Sequence, residues 1–137
     1  MRTTRELIVR NEIDDLQKVA EFVESLGEEF HLEMMMVMNM NLALEEIISN
    51  IMLYAYPEKM EEYISIRFIE TNGAYVFTIS DSGVEFDPLE MKTPDISLSA
   101  EERAIGGLGI FLVRQLMDEV VYDRIENKNV LTMKKNK

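Results

Sequence analysis

A chain of 137 residues can form one domain with a real core, and its 47% hydrophobic content is patterned, which excludes disorder outside the last residues, Lys134 to Lys137. Fourteen basic against 26 acidic residues give a formal net charge of −12; this weighs against nucleic acid, whose phosphates need Lys and Arg, and favours a basic protein partner. With no cysteine there is no disulfide framework or thiolate metal site, and no apolar run reaches the ~20 residues that span a bilayer.

The start, Met1-Arg2-Thr3-Thr4-Arg5-Glu6, leads into no signal-peptide core, so the expectation is a soluble, cytoplasmic protein without membrane contact. Glu6 to Arg10 reads as a first strand. From Glu12 to Phe30, Ile13, Leu16, Val19, Ala20, Val23 and Leu26 recur at helical spacing, with Asn11 as the expected N-cap and Gly27 near the end. His31, the one histidine, is read as structural or exposed. Glu33 to Met40 (EMMMVMNM) runs without a breaker into the next helix, and its methionines are expected to fill core. That helix, Asn41 to Pro57, carries a stripe of Met40, Leu44, Ile47, Ile48, Ile51 and Ala55, and Pro57 stops it. Off the stripe stand Glu46 and Asn50, four residues apart and therefore on one face, where a carboxylate and a carboxamide can share a ligand.

Two strands follow, Tyr63 to Ile69 and Ala74 to Ser80, joined at Asn72-Gly73, a pair suited to a type I′ hairpin turn. The second runs into Asp81-Ser82-Gly83, presenting Asp81 at a strand end. Val84 to Ile105, with Pro88 and Pro94, is long and irregular and reads as a mobile lid. Gly106-Gly107-Leu108-Gly109 closes it and opens a helix with Ile110, Leu112, Val113, Leu116 and Met117 on its apolar side. Strands Glu119 to Arg124 and Asn129 to Met133, across a turn at Glu126-Asn127-Lys128, end the chain. The order predicts one domain over residues 1–137: a two-layer α/β sandwich, its mostly antiparallel sheet covered on one face by about three helices.

These pieces suit a nucleotide. Glycines before a helix let the backbone approach a phosphate, with the first N–H groups and the helix dipole behind it; Gly106, Gly107 and Gly109 meet that description. An acidic protein needs such backbone donors, and a metal ion, to hold ATP. Magnesium takes hard oxygen ligands and keeps waters, so the Asn50 amide oxygen plus phosphates can suffice. Asp81 can accept from an exocyclic amine such as that of adenine, Gly83 can let a flat ring lie on the backbone, and Glu46 can take a proton from an attacking hydroxyl.

Glu46-Ile47-Ile48-Ser49-Asn50 resembles the N box, Asp81-Ser82-Gly83 with Phe86-Asp87-Pro88 the first glycine box, and Gly106-Gly107-Leu108-Gly109 the second glycine box of Bergerat-type ATP-binding domains, as in gyrase, histidine kinases and MutL. Within that superfamily the strings NLALEE, YAYP, ISDSG and GGLGIFLVRQLMDEV are similar to the anti-sigma factor serine/threonine kinases of bacterial partner-switching modules, over nearly the whole chain. The resemblance implies ATP and Mg2+ as cofactors, Asn50 on the metal, Asp81 on the adenine amine, Gly83 at the ring, and Gly106, Gly107, Leu108 and Gly109 around the phosphates. It implies Glu46 as general base. It also implies a protein serine/threonine kinase that phosphorylates an anti-anti-sigma (STAS-type) protein, holds a sigma factor in its alternative state and forms a homodimer. Two positions depart from the pattern: Val84-Glu85 omits a second glycine, and Tyr54 stands where a basic residue is frequent. Arg103 lies where it could reach a phosphate. A nucleotide-gated binding module without kinase activity is the alternative. A detached histidine-kinase domain ranks below both, because no dimerisation helix with a phospho-acceptor surrounds His31.

Overall fold

The computed structural model describes residues 2–56, 62–90 and 107–137; Pro57, Pro94, Arg103, Gly106 and most of the expected lid lie outside the described residues. The elements are β1 (Thr3–Arg10), α1 (Leu16–Glu29), α2 (Met34–Tyr54), β2 (Tyr63–Glu70), β3 (Ala74–Asp81), α3 (Gly107–Leu116), β4 (Glu119–Ile125) and β5 (Lys128–Asn136). The strands form one sheet in the order β1-β2-β3-β5-β4, every ladder antiparallel. Three helices pack on one face of it, as the periodicity predicts.

The sheet owes its two faces to strict alternation. Ile64, Ile66 and Phe68 on β2, Tyr75, Phe77 and Ile79 on β3, and Leu131 and Met133 on β5 point to the helices and are buried. Phe68 is the hub, its ring 5.1 Å from Phe30, 5.2 Å from Phe77 and 5.9 Å from Tyr75. Helix α2 lies between α1 and α3, and all six residues of its expected stripe, Met40 to Ala55, are buried.

Several local expectations are corrected. Helix α1 is entered through a 3-10 turn at Ile13–Asp15, and Asp15, not Asn11, precedes its first residue. The Asp15 carboxylate makes no capping bond; it accepts from the Arg10 backbone N–H at 2.8 Å and the Arg10 guanidinium at 3.0 Å, tying the end of β1 to the start of α1. Gly27 does not end α1. A Cβ there would meet Val37 Cγ2 at 2.6 Å, so the glycine permits close approach of α2. The helix ends at Glu29, with Phe30 as C-cap; His31 beyond it takes the left-handed conformation (φ 55) while the Leu32 N–H reaches the Gly27 carbonyl, a Schellman closure.

The type I′ turn also sits elsewhere. Asn72 has no positive φ; Thr71 closes that hairpin, its hydroxyl accepting from the Ala74 N–H. Glu126 (φ 49) and Asn127 (φ 64) make the two-residue turn between β4 and β5. Lys134 and Lys135 continue β5 instead of fraying, and the Lys137 N–H bonds the Gly73 carbonyl. On α3, Ile110, Val113 and Met117 are buried but Leu112 is exposed. The methionine run is not core filling: Met34, Met35 and Met38 are exposed, and of the five in 34–40 Met40 alone is buried.

Arg10 holds the Asp15 carboxyl down to about 2, below the ordinary 3.8. A depressed carboxylate stabilises the fold fully above its unfolded value and loses that contribution as pH falls through the folded one. Asp15→Asn is therefore expected to lower stability by about 1–2 kcal/mol at pH 7 in urea unfolding, with the gap from wild type closing toward pH ~2.

Candidate functional site

The C-terminal half of α2, the end of β3 and the start of α3 converge. Glu46 and Asn50 do lie one turn apart: Asn50 Nδ2 donates to Glu46 Oε1 at 3.0 Å. Asn50 is, however, buried, 1% exposed, although it stands off the apolar stripe. With its nitrogen committed to Glu46, its amide oxygen is the atom suited to a hard cation. Burial raises the Glu46 carboxyl above its ordinary value, Asn50 opposes the rise and Glu45 adds to it. A half-buried carboxylate with a raised pKa is a better proton acceptor near neutral pH.

Helix α3 begins at Gly107 and presses its first turn on that carboxylate. A Cβ at Gly109 would fall 1.8 Å from Glu46 Cδ, so only glycine lets α3 approach. The first turn of α3, where helix N–H groups lack partners within the helix, thus lies against Glu46. Gly107 and Leu108 open this helix; Gly106 is outside the described residues. Among the described residues no cluster of three or more acidic or histidine side chains could hold a metal, so a cation here would need ligand oxygens to complete its shell.

Asp81 is the last residue of β3 and follows Tyr75, Phe77 and Ile79 on the buried face. A carboxylate thus occupies a core position, 3% exposed. Its Oδ1 accepts from the Gly83 N–H and from Asn129 Nδ2, both at 2.9 Å; its Oδ2 is buried with no hydrogen-bond partner among the described residues. Burial raises its pKa, against the bonds from Asn129 and Gly83 and the charge of Arg124. An orphaned buried acceptor is uncommon in a native fold, and this oxygen is free to take a donor from water or a ligand. Gly83 serves packing first: a Cβ would come within 2.4 Å of the Ala55 carbonyl, which also accepts from the Val84 N–H at 2.8 Å.

Sequence reasoning missed Asn129. It stands opposite Asp81 in the β3–β5 ladder. Its Nδ2 also donates to the Val84 carbonyl (2.8 Å), and its Oδ1 accepts from the Phe86 N–H (3.1 Å), the Tyr122 hydroxyl (2.6 Å) and Arg124 (3.0 Å). One amide therefore joins β3, β4, β5 and the root of the lid. The signal was the alternation Asn129, Leu131, Met133, which places an amide on the core face. Tyr56, missed as well, accepts the Ser82 N–H at 3.1 Å, and burial with Asp81 nearby pushes its hydroxyl up to about 12.

The lid root follows the Phe86-Asp87-Pro88 string. Asp87 Oδ1 caps a 3-10 turn by accepting from the Leu89 N–H, and Arg114 of α3 donates to the Leu89 carbonyl. Tyr54 packs on Phe86 with ring centroids 5.7 Å apart, so the departure at position 54 is an aromatic brace on the lid root. Ile51, Ile79, Asp81, Phe86, Pro88 and Tyr122 line a slot with room for about one water molecule.

Residues 9–135 match the family model described as the histidine kinase-like ATPase domain. The chain belongs to that family. Among curated relatives of this ATPase domain are the serine-protein kinase RsbW of Bacillus thuringiensis, 33% identical over 100 residues (70% of this chain, 62% of that protein), and RsbW of Listeria monocytogenes, 30% over 86 residues (60% and 55%). The serine/threonine-protein kinase BtrW of Bordetella bronchiseptica is 27% identical over 94 residues, 69% of this chain and 66% of that protein. The matched stretches thus span 55–66% of these relatives' lengths. The ATPase domain shares its fold with the histidine kinase domain of the Erythrobacter litoralis EL346 blue-light activated histidine kinase, TM-score 0.52 at 13% identity, covering 89% of this chain and 59% of that one. Among the described residues no helix is long and apolar enough to cross a membrane.

The raised carboxyl of Asp81 means that its ionised form opposes folding. Stability from this group is complete below the unfolded pKa and is lost as pH rises through the folded one. Asp81→Asn keeps the acceptor for Asn129 and Gly83 and removes the buried charge. It is expected to raise stability at pH 7 by about 1 kcal/mol, a few degrees in melting temperature, with the gain shrinking as pH is lowered toward ~4.

Proposed function

We propose that the protein is an ATP- and Mg2+-dependent protein serine/threonine kinase of a partner-switching module. In this reading it phosphorylates an anti-anti-sigma (STAS-type) protein, sequesters a sigma factor when its partner is modified, and works as a cytoplasmic homodimer. The observation that carries the reading is the buried Asp81, one oxygen unpartnered among the described residues, at a strand end against the C-terminal part of α2, the helix whose Glu46 is met by Gly109 at the start of α3. The kinase names of the relatives support the choice among the activities an ATPase domain can have.

Asp81 Oδ2 accepts the exocyclic amine of adenine, and the slot beside it takes the ring. Room for one water is too little for a purine, so the slot has to widen on entry. The N–H groups of Gly107, Leu108 and Gly109, with Gly106, hold the phosphates, and Asn50 supplies an amide oxygen to magnesium, whose charge stabilises the transferring phosphoryl group. Glu46 accepts the proton of a serine or threonine hydroxyl as its oxygen bonds the γ-phosphorus; the bond to ADP breaks and ADP leaves. Phosphoryl transfer asks mainly for positioning and charge, which a site this small can supply.

Calorimetry with MgATP tests the nucleotide site. Saturable binding by the wild type, weakened at least about tenfold by Asp81→Asn and by Asn50→Ala, is expected; no binding by the wild type would sink the proposal. Glu46→Gln should keep ATP binding and slow transfer to an anti-anti-sigma protein by about a hundredfold. If that variant still switches partners normally while transfer is lost, the protein is a nucleotide-gated binding module instead.

A further inference from the structure

Helix α2 is apolar on two sides and buried on one. Met40, Leu44, Ile47 and Ile51 face the core. On the other side Met34 is 80% exposed, Met35 65%, Met38 54% and Leu42 46%. At about 100° per residue these four fall within one arc of about 100°, directly away from the Met40–Ile47–Ile51 line. Single exposed apolar side chains are ordinary; four large ones over two adjoining turns make a continuous patch, the mark of an interaction surface. Nothing among the described residues covers it.

The rim of the patch is acidic. Glu33 precedes α2 and Glu45 stands one turn beyond Leu42 on the same side; both are exposed, and α1 just before ends in two more exposed acids, Glu28 and Glu29. Arg5 offsets Glu29 through a two-pronged ion pair, but the 21 residues of α2 contain no lysine or arginine. A second copy of the chain would set this acidic rim against its like, and an anionic lipid surface would be repelled as well. The complementary object is apolar along one side and cationic at its edges. Methionine suits that role, since its unbranched, polarisable side chain repacks to different surfaces.

We propose that the Met34–Leu42 face of α2 docks a basic amphipathic helix of a partner protein. Its apolar side chains lie on the methionines and its lysines or arginines meet Glu33 and Glu45. The surface is distinct from the nucleotide slot and does not rest on the kinase reading. It shares α2 with Glu46, which lies eight residues, ~12 Å, beyond Met38, so the docked helix runs beside the site.

The probe is a fluorescein-labelled peptide of about 18 residues, long enough to turn helical on docking, with leucine along one helical face and lysine elsewhere. Its controls are the same peptide with glutamate for lysine and a scramble that destroys the apolar face. Anisotropy titrations without nucleotide compare the wild type with Met34→Ser/Met38→Ser, whose unchanged melting temperature would show an intact fold. The Leu/Lys peptide is expected to bind the wild type, at least about tenfold more tightly than it binds the variant and than the wild type binds either control. Equal binding of peptide and scramble, or of wild type and variant, would reduce the effect to loose charge attraction and overturn the proposal, as would no binding. Sedimentation gives the remaining outcome: a wild-type dimer that the double substitution makes monomeric would assign the face to a second copy and refute it.

Discussion

The hydrogen bond between Asp81 and Asn129 is the constraint on which the rest of the structure turns. Both side chains stand at core positions of central, neighbouring strands, where the alternation of β3 and β5 would otherwise place apolar groups. A carboxylate buried there is tolerated because Asn129 donates to it while Gly83 bends the backbone back to the same oxygen. Removing either donor would leave more of the charge unmatched inside the fold. The amide, in turn, is used at both ends, and through it the β3 terminus, Tyr122, Arg124 and the lid root keep one relative position.

The same logic of close approach sets the helices. Glycine appears where two elements must touch: Gly27 admits Val37 and brings α1 onto α2, Gly83 admits the Ala55 carbonyl, and Gly109 admits the Glu46 side chain. In each case the partner lies on α2 or at its C-cap, which is why this helix can hold α1, α3 and the end of β3 in register at once. Local chemistry near the site follows. The half-buried Glu46 is held by an amide donor on its own helix and covered by the first turn of the next; that cover buries the carboxyl and raises its pKa, against the Asn50 donor.

What the sequence made legible follows from periodicity. The order of elements, the two-layer arrangement and the six-residue stripe of α2 all rest on patterns repeated over several turns or strands. The single positions that failed depend on tertiary context. Asn11 has the right chemistry for a cap, but the Arg10–Asp15 pairing wins that corner. Asn72-Gly73 is a strong hairpin pair, yet Thr71 offers its hydroxyl and the left-handed turn falls on Glu126-Asn127, where the two-residue loop length demands it. The methionine run looked like core because composition cannot tell which of two apolar faces meets the sheet. Asp81 and Asn50 stood out as polar groups beside apolar ones; Asn129 carried the same signal but stood at the start of its strand, next to the turn.

The strand order also bears on how the chain must assemble. β5 is inserted between β3 and β4 although it follows both in sequence, and among the described residues β4 has no ladder partner other than β5. The meander β1-β2-β3 can therefore form while the chain is still being synthesised, but β4 has to wait. Until β5 docks, the growing sheet ends at β3 with an open edge, and Asp81 sits there without the amide that holds it. The polar centre is consequently the last piece to close. Any chain in which β5 has not yet docked lacks the buried Asp81 carboxylate in its final position, so the geometry of this one residue reports that the sheet is complete.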